Sequence, residues 1–131
     1  MNPCVLYFSR TGNTKYMAQT IADSIKVPTF DIASSEPSIV ETYDVLIIGT
    51  PVEGARPPKE TLAFVESLPK AEGKKAILFC TYRLFKGKTF KALADVLNSK
   101  GYSSVLEVSK RGVKVGQTDF SDVLAEIRKA L

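Results

Sequence analysis

The 131-residue chain contains no histidine, and that absence removes a wide range of chemistry at once. A Ser-His-Asp triad, a His-ligated metal centre and an imidazole proton shuttle are all excluded. Cysteine is scarce as well. Cys4 and Cys80 stand far apart, without disulfide-framework or metal-ligand spacing, and read as buried thiols. No apolar run approaches the roughly 20 residues needed to cross a bilayer, and the first residues lack a basic stretch leading into a long apolar region. A cytoplasmic location and no membrane partner are therefore expected. With 44% hydrophobic and 24% charged residues, the composition is that of a folded globular chain. The length points to one domain over residues 1–131. Any chemistry must come from a bound cofactor, or from carboxylates, hydroxyls and backbone groups.

The net charge of +4 is unevenly placed. Residues 1–69 carry 5 Lys/Arg against 8 Asp/Glu, whereas residues 70–114 carry 11 against 3. Such asymmetry predicts a basic face that could steer an acidic partner. The basic residues form no dense run and no recognition motif, so nucleic acid is not the expected ligand.

Five apolar segments alternate with helical spacing. The expected strands are Pro3–Phe8, a weaker Pro28–Ile32, Asp44–Gly49, Lys75–Thr81 and Ser103–Ser109. The expected helices are 14–26, Pro58–Leu68, Thr89–Lys100 and Asp119–Leu131, with Thr118-Asp119 as a start signal for the last. The connection 33–43 is short, contains Pro37 and has room for only a turn or two of helix. Near-continuous apolar strands alternating with helices predict an α/β fold, a doubly wound parallel sheet with helices on both faces. In such sheets ligands sit beyond the carboxyl ends of the strands, at the point where strand order reverses.

Three loops leave those ends, and the first is the most distinctive. Ser9-Arg10-Thr11-Gly12-Asn13-Thr14 follows a strand and opens a helix. Unpaired N–H groups and the positive end of a helix dipole gather there, three hydroxyls and an amide add neutral donors, and the pattern suits a phosphate. It carries neither the Gly-x-Gly-x-x-Gly of a dinucleotide fold nor the Gly-Lys-Ser/Thr of a nucleoside triphosphate loop. Gly49-Thr50-Pro51 also stands where a receiver domain would need an Asp.

Tyr7-Phe8-Ser9-Arg10-Thr11-Gly12-Asn13-Thr14 resembles the phosphate loop of flavodoxins. Gly49-Thr50-Pro51-Val52-Glu53-Gly54-Ala55-Arg56-Pro57-Pro58 is similar to the second flavin loop of small flavodoxin-like proteins, and Cys80-Thr81-Tyr82 fits the third. The resemblance implies strand order 2-1-3-4-5 and one noncovalently bound FMN at the tips of strands one, three and four. By position, Ser9 to Thr14 would bind the phosphate. Thr50 would bring a hydroxyl near the phosphate or ribityl chain, and Pro51, Val52, Glu53, Gly54 and Ala55 would line one side of the ring. Thr81 and Tyr82 would approach its other side, with Arg83 and Phe85 beyond. The Glu53-Gly54 peptide is the candidate to answer the proton gained at the ring on one-electron reduction, since Gly accepts either peptide orientation.

The third loop, Thr81-Tyr82-Arg83-Leu84-Phe85-Lys86-Gly87-Lys88, departs from acidic flavodoxins in being basic. Arg10 and Arg56 are expected to add positive charge at the same rim, which points to redox partners with acidic docking surfaces. The function expected is an FMN-binding carrier of one or two electrons between redox proteins. An NAD(P)H- or quinone-dependent FMN oxidoreductase, or a flavodoxin-like interaction domain that has lost FMN, are the alternatives.

Overall fold

Strand β1 (Pro3–Tyr7) lies between β2 (Thr29–Asp31) and β3 (Val45–Pro51), followed by β4 (Lys74–Tyr82) and β5 (Tyr102–Arg111), in one parallel sheet of order β2-β1-β3-β4-β5. The computed structural model describes residues 2–111 and 119–131. Helices α1 (Asn13–Ile25), α2 (Lys59–Glu66), α3 (Thr89–Ser99) and α4 (Ser121–Ala130) fall where the 3.6-residue spacing predicts them. Two short 3-10 segments, Ile32–Ser34 and Pro37–Thr42, fill the stretch between β2 and β3, where the sequence left room for only a turn or two of helix. At the start of α4 the Asp119 carboxylate accepts the Ser121 N–H at 2.9 Å; Thr118 lies outside the described residues.

Strand parity divides the core in two. Cys4, Leu6, Phe8, Leu46, Ile48, Ala76 and Leu78 face Phe64, Val65 and Leu68 near α2 and Leu93 and Leu97 of α3. Val5, Tyr7, Val45, Ile47, Ile77, Phe79 and Val108 face Met17, Ala18 and Ile21 of α1 and Val123 and Ile127 of α4. Both faces of the central strands are therefore buried, which is why their sequences read as unbroken apolar runs. The helix after β1 packs on one face and the helix after β3 on the other. The loops leaving these two neighbouring strands diverge, and a crevice opens between them.

Cys4 and Cys80 are free and fully buried, as the sequence predicts. Burial pushes both thiols up to about 12, so they hold their protons at neutral pH and are poor nucleophiles. Among the described residues no cluster of metal-ligating side chains occurs, and no helix is long and apolar enough to cross a membrane.

Candidate functional site

Register brings the strand tips to one level: Tyr7 pairs with Gly49, and Pro51 with Thr81. The loops beyond them enclose a cleft of about 190 Å³. Arg10, Thr11 and Asn13 line it from the first loop, Pro51, Val52 and Glu53 from the second, and Thr81, Tyr82 and Arg83 from the third. A second hollow of about 230 Å³ continues from it, sharing Val52 and Arg83 and adding Gly54, Ala55, Leu84 and Phe85.

The first loop forms the polar end. Gly12 turns the chain at φ 100° and precedes α1. Its N–H donates to Ser9 Oγ at 3.1 Å, and the Tyr16 N–H donates to the Gly12 carbonyl at 2.9 Å. Among the described residues no acceptor meets the N–H groups of Thr11, Asn13, Thr14 or Lys15. These four donors therefore stand unmet at the start of a helix with no side-chain cap. The hydroxyl of Thr14, a residue only 1% exposed, lies 2.6 Å from that of Thr81, tying the first loop to the third.

Thr50 is placed differently from the expectation. It is fully buried, 2.9 Å from the Thr61 hydroxyl on α2, and donates to the Pro51 carbonyl at 3.0 Å. Its parity is that of Ile48, so it faces α2 rather than the cleft. Thr81 has the parity of Phe79 and meets α1 instead.

Arg10 is also not a free cation of the rim. Its guanidinium lies 4.9 Å from the centre of the Phe8 ring and hydrogen-bonds both Glu53 and Glu60. The Glu53 bond, then that of Glu60, raises its pKa. Glu60 opens α2, where its own backbone N–H and then Arg10 hold its carboxyl below the ordinary range. The basic character of the rim rests on Arg83, Lys86, Lys88 and Arg111, all exposed. Arg111 Nε donates to the Arg83 carbonyl at 2.6 Å and so fixes the start of the third loop.

The second loop folds into a tight turn. Glu53 and Arg56 exchange backbone hydrogen bonds at 2.8 and 3.1 Å, and both central residues have positive φ, Gly54 at 59° and Ala55 at 64°. That is the signature of a type I′ turn, for which Gly is suited and Ala is not. The Ala55 carbonyl accepts the Lys88 N–H at 2.8 Å, joining this turn to the third loop.

A family model for the flavodoxin domain matches residues 4–105. The chain belongs to the flavodoxin family. It is 30% identical over 105 residues to the flavodoxin of Clostridium beijerinckii, covering 74% of this chain and 76% of that one. An uncharacterised protein of Methanocaldococcus jannaschii is 31% identical over 115 residues, 86% of this chain and 76% of the relative. Among solved structures, oxidised flavodoxin 1 from Bacillus cereus superposes with a TM-score of 0.76 at 28% identity, over 100% of this chain and 99% of that one. FMN is the flavodoxin cofactor, and FMN-based electron transfer is the general activity of the family.

The residues present fit that cofactor. Unmet N–H donors and neutral hydroxyls suit a phosphate at one end, while Pro51, Val52 and Tyr82 offer flatter, less polar walls at the other. Leu84 and Glu60 were not anticipated as site residues. Leu84, 77% exposed beside Phe85 at 59%, was signalled by an apolar pair set between Arg83 and Lys86. Glu60 gave no sequence signal, because only the fold brings it to Arg10.

Proposed function

We propose that this flavodoxin holds FMN in the cleft between its three strand-tip loops and carries one or two electrons between redox proteins. The observation that carries the reading is the convergence of those loops, with four unmet backbone donors at one end of the cleft. When bound, FMN would supply the reversible uptake of electrons at its ring.

The Ser9–Thr14 loop would grip the phosphate through the N–H groups of Thr11, Asn13, Thr14 and Lys15 and the nearby hydroxyls, with Arg10 turned away toward its glutamates. Neutral, preorganised dipoles bind an anion without the desolvation of a buried cation. Pro51, Val52 and the Glu53–Ala55 backbone would line one side of the ring, and Tyr82 and Arg83 the other. The Gly54 peptide, on the open side of its turn, would be the donor or acceptor nearest the ring's changing proton. Tyr82 would exclude water from one ring face, and Phe85 with Leu84 would form an apolar lip at the outer edge.

Arg83, Lys86 and Lys88 surround that lip, so the partner that docks there would present acidic groups around a small apolar contact. Reduction by an acidic donor protein should slow as salt rises from about 10 to 150 mM, over which the Debye length falls from about 30 to 8 Å. A rate indifferent to salt would remove the acidic-partner reading.

Apoprotein titrated with FMN should quench its fluorescence at one equivalent and take on a flavin spectrum between roughly 350 and 500 nm. Reduction without sustained NAD(P)H turnover would mark a carrier. Steady turnover would mark an oxidoreductase.

A further inference from the structure

The placement of Arg10 has a meaning that neither a phosphate ligand nor a surface charge explains. Its backbone belongs to the phosphate loop, one residue after the Ser9 hydroxyl that accepts the Gly12 N–H. Its side chain leaves that loop entirely. Nε and Nη2 hydrogen-bond the Glu53 carboxylate, and Nη2 reaches Glu60 at 2.8–2.9 Å. The face of the guanidinium rests on Phe8, a buried residue just after β1. The planar fork is thus held at its edge by two carboxylates and at its face by an aromatic ring, with the three charged side chains 36–43% exposed.

Glu53 is the first residue of the turn that lines the cleft from the second loop. Its N–H and carbonyl close that turn against Arg56, and its carboxylate is held by Arg10. The turn therefore has two anchors. Arg10 secures its first residue to the phosphate loop, and the Lys88 N–H secures Ala55 to the third loop. Between the anchors lies Gly54, with open space around the position of a side chain. Both glutamates reach Arg10 from the β3–α2 segment, so one side chain spans the crevice where the strand order reverses.

We propose that Arg10 is a positioning residue that ties the phosphate loop to the Glu53–Arg56 turn, so that the loop gripping one end of the ligand also sets the backbone facing its other end. The consequence for redox behaviour rests on the FMN reading; the tie itself does not. With Glu53 and Glu60 both opposed to it, the Arg10 charge is offset locally and acts through geometry rather than through attraction to the phosphate.

Amide hydrogen exchange on the ligand-free protein tests the tie directly. In Arg10→Ala and in Glu53→Gln, which keeps the size of the side chain, the Glu53 and Arg56 amides should exchange faster by on the order of fivefold. The Tyr16 amide, bonded to the Gly12 carbonyl, should keep its rate. Arg10→Lys should fall between, because an ammonium cannot present a fork to two carboxylates. In the FMN-loaded protein the same substitutions should shift the one-electron potentials, with partial restoration by Arg10→Lys. Unchanged exchange at Glu53 and Arg56 in both Arg10→Ala and Glu53→Gln would overturn the proposal. Failure to bind FMN would instead overturn the proposed function and leave the exchange result standing.

Discussion

Gly49 and Phe79 face each other across the β3–β4 ladder, and the space for the ring exists only because residue 49 has no side chain. A methyl group at Gly49 would lie 2.0, 2.1 and 2.6 Å from three carbons of the Phe79 ring, whereas carbon atoms settle at about 3.5–4.0 Å. Relief requires the ring to move by roughly 1.5 Å. Phe79 has no exposed surface and sits in the cluster that includes Met17, Ile47, Ile77 and Phe120, so the movement must push neighbours or backbone. Overpacking of a closed core costs about 1–3 kcal/mol, and the enclosure of this ring places Gly49→Ala near the upper end. For a chain of this length 1 kcal/mol corresponds to roughly 3–5 °C, giving a fall in Tm of about 9–15 °C. Urea unfolding should show a lower midpoint at an unchanged slope. Phe79→Leu removes the three clashing atoms, so the double variant should be more stable than the sum of the single losses by at least about 1 kcal/mol. Gly49→Ala within about 0.5 kcal/mol of the parent, or an additive cycle, would mean that Phe79 does not fill the space left by Gly49.

Three other outcomes are expected. Gly54→Ala meets no neighbour but must hold φ at 59°, so it should lower stability by about 1 kcal/mol; in the loaded protein it should make the first electron harder to add relative to the second, and unchanged one-electron potentials would sink the role given to that peptide. Thr81→Val should weaken FMN binding, on the order of tenfold, by removing a cleft hydroxyl and the partner of Thr14, whereas Thr50→Val, facing α2, should change affinity less than about threefold while costing about 1 kcal/mol of stability; fluorescence titration of both variants reads the contrast. Cys4 and Cys80 should resist thiol reagents in the native state. Because their folded values near 12 lie above the ordinary 9.0, their contribution to stability should be complete below pH 9 and lost as pH rises toward 12, which unfolding at stepped alkaline pH would detect.

Alternation of apolar runs with helical spacing is a signal local to each segment, and it carried the element order, the sheet class and the strand tips that bear the loops. Strand order followed from the flavodoxin resemblance of those loops rather than from the strands themselves. Side-chain direction was harder to read. A strand buried on both faces is apolar at every position, so nothing in Asp44–Gly49 says that Thr50 turns toward α2 with Ile48. The same ambiguity hid the Thr14–Thr81 contact. Long-range polar pairs were illegible for a different reason. Arg10 and Glu60 are separated by 50 residues, and their meeting depends on how β1 and β3 lie side by side. Arg10 was accordingly expected to add charge to the rim, where the fold instead opposes it with two carboxylates. The fit of Phe79 over Gly49 is likewise a matter of register, invisible until the two strands are paired.

The most direct measurement of the central claim is isothermal titration of the apoprotein with FMN, set beside riboflavin, which lacks the phosphate. One FMN should bind per chain, with riboflavin bound at least about a hundredfold more weakly because the donors of the Ser9–Thr14 loop are left without an anion. Equal affinity for the two, or no binding of FMN, would mean that the Ser9–Thr14 loop is not a phosphate site.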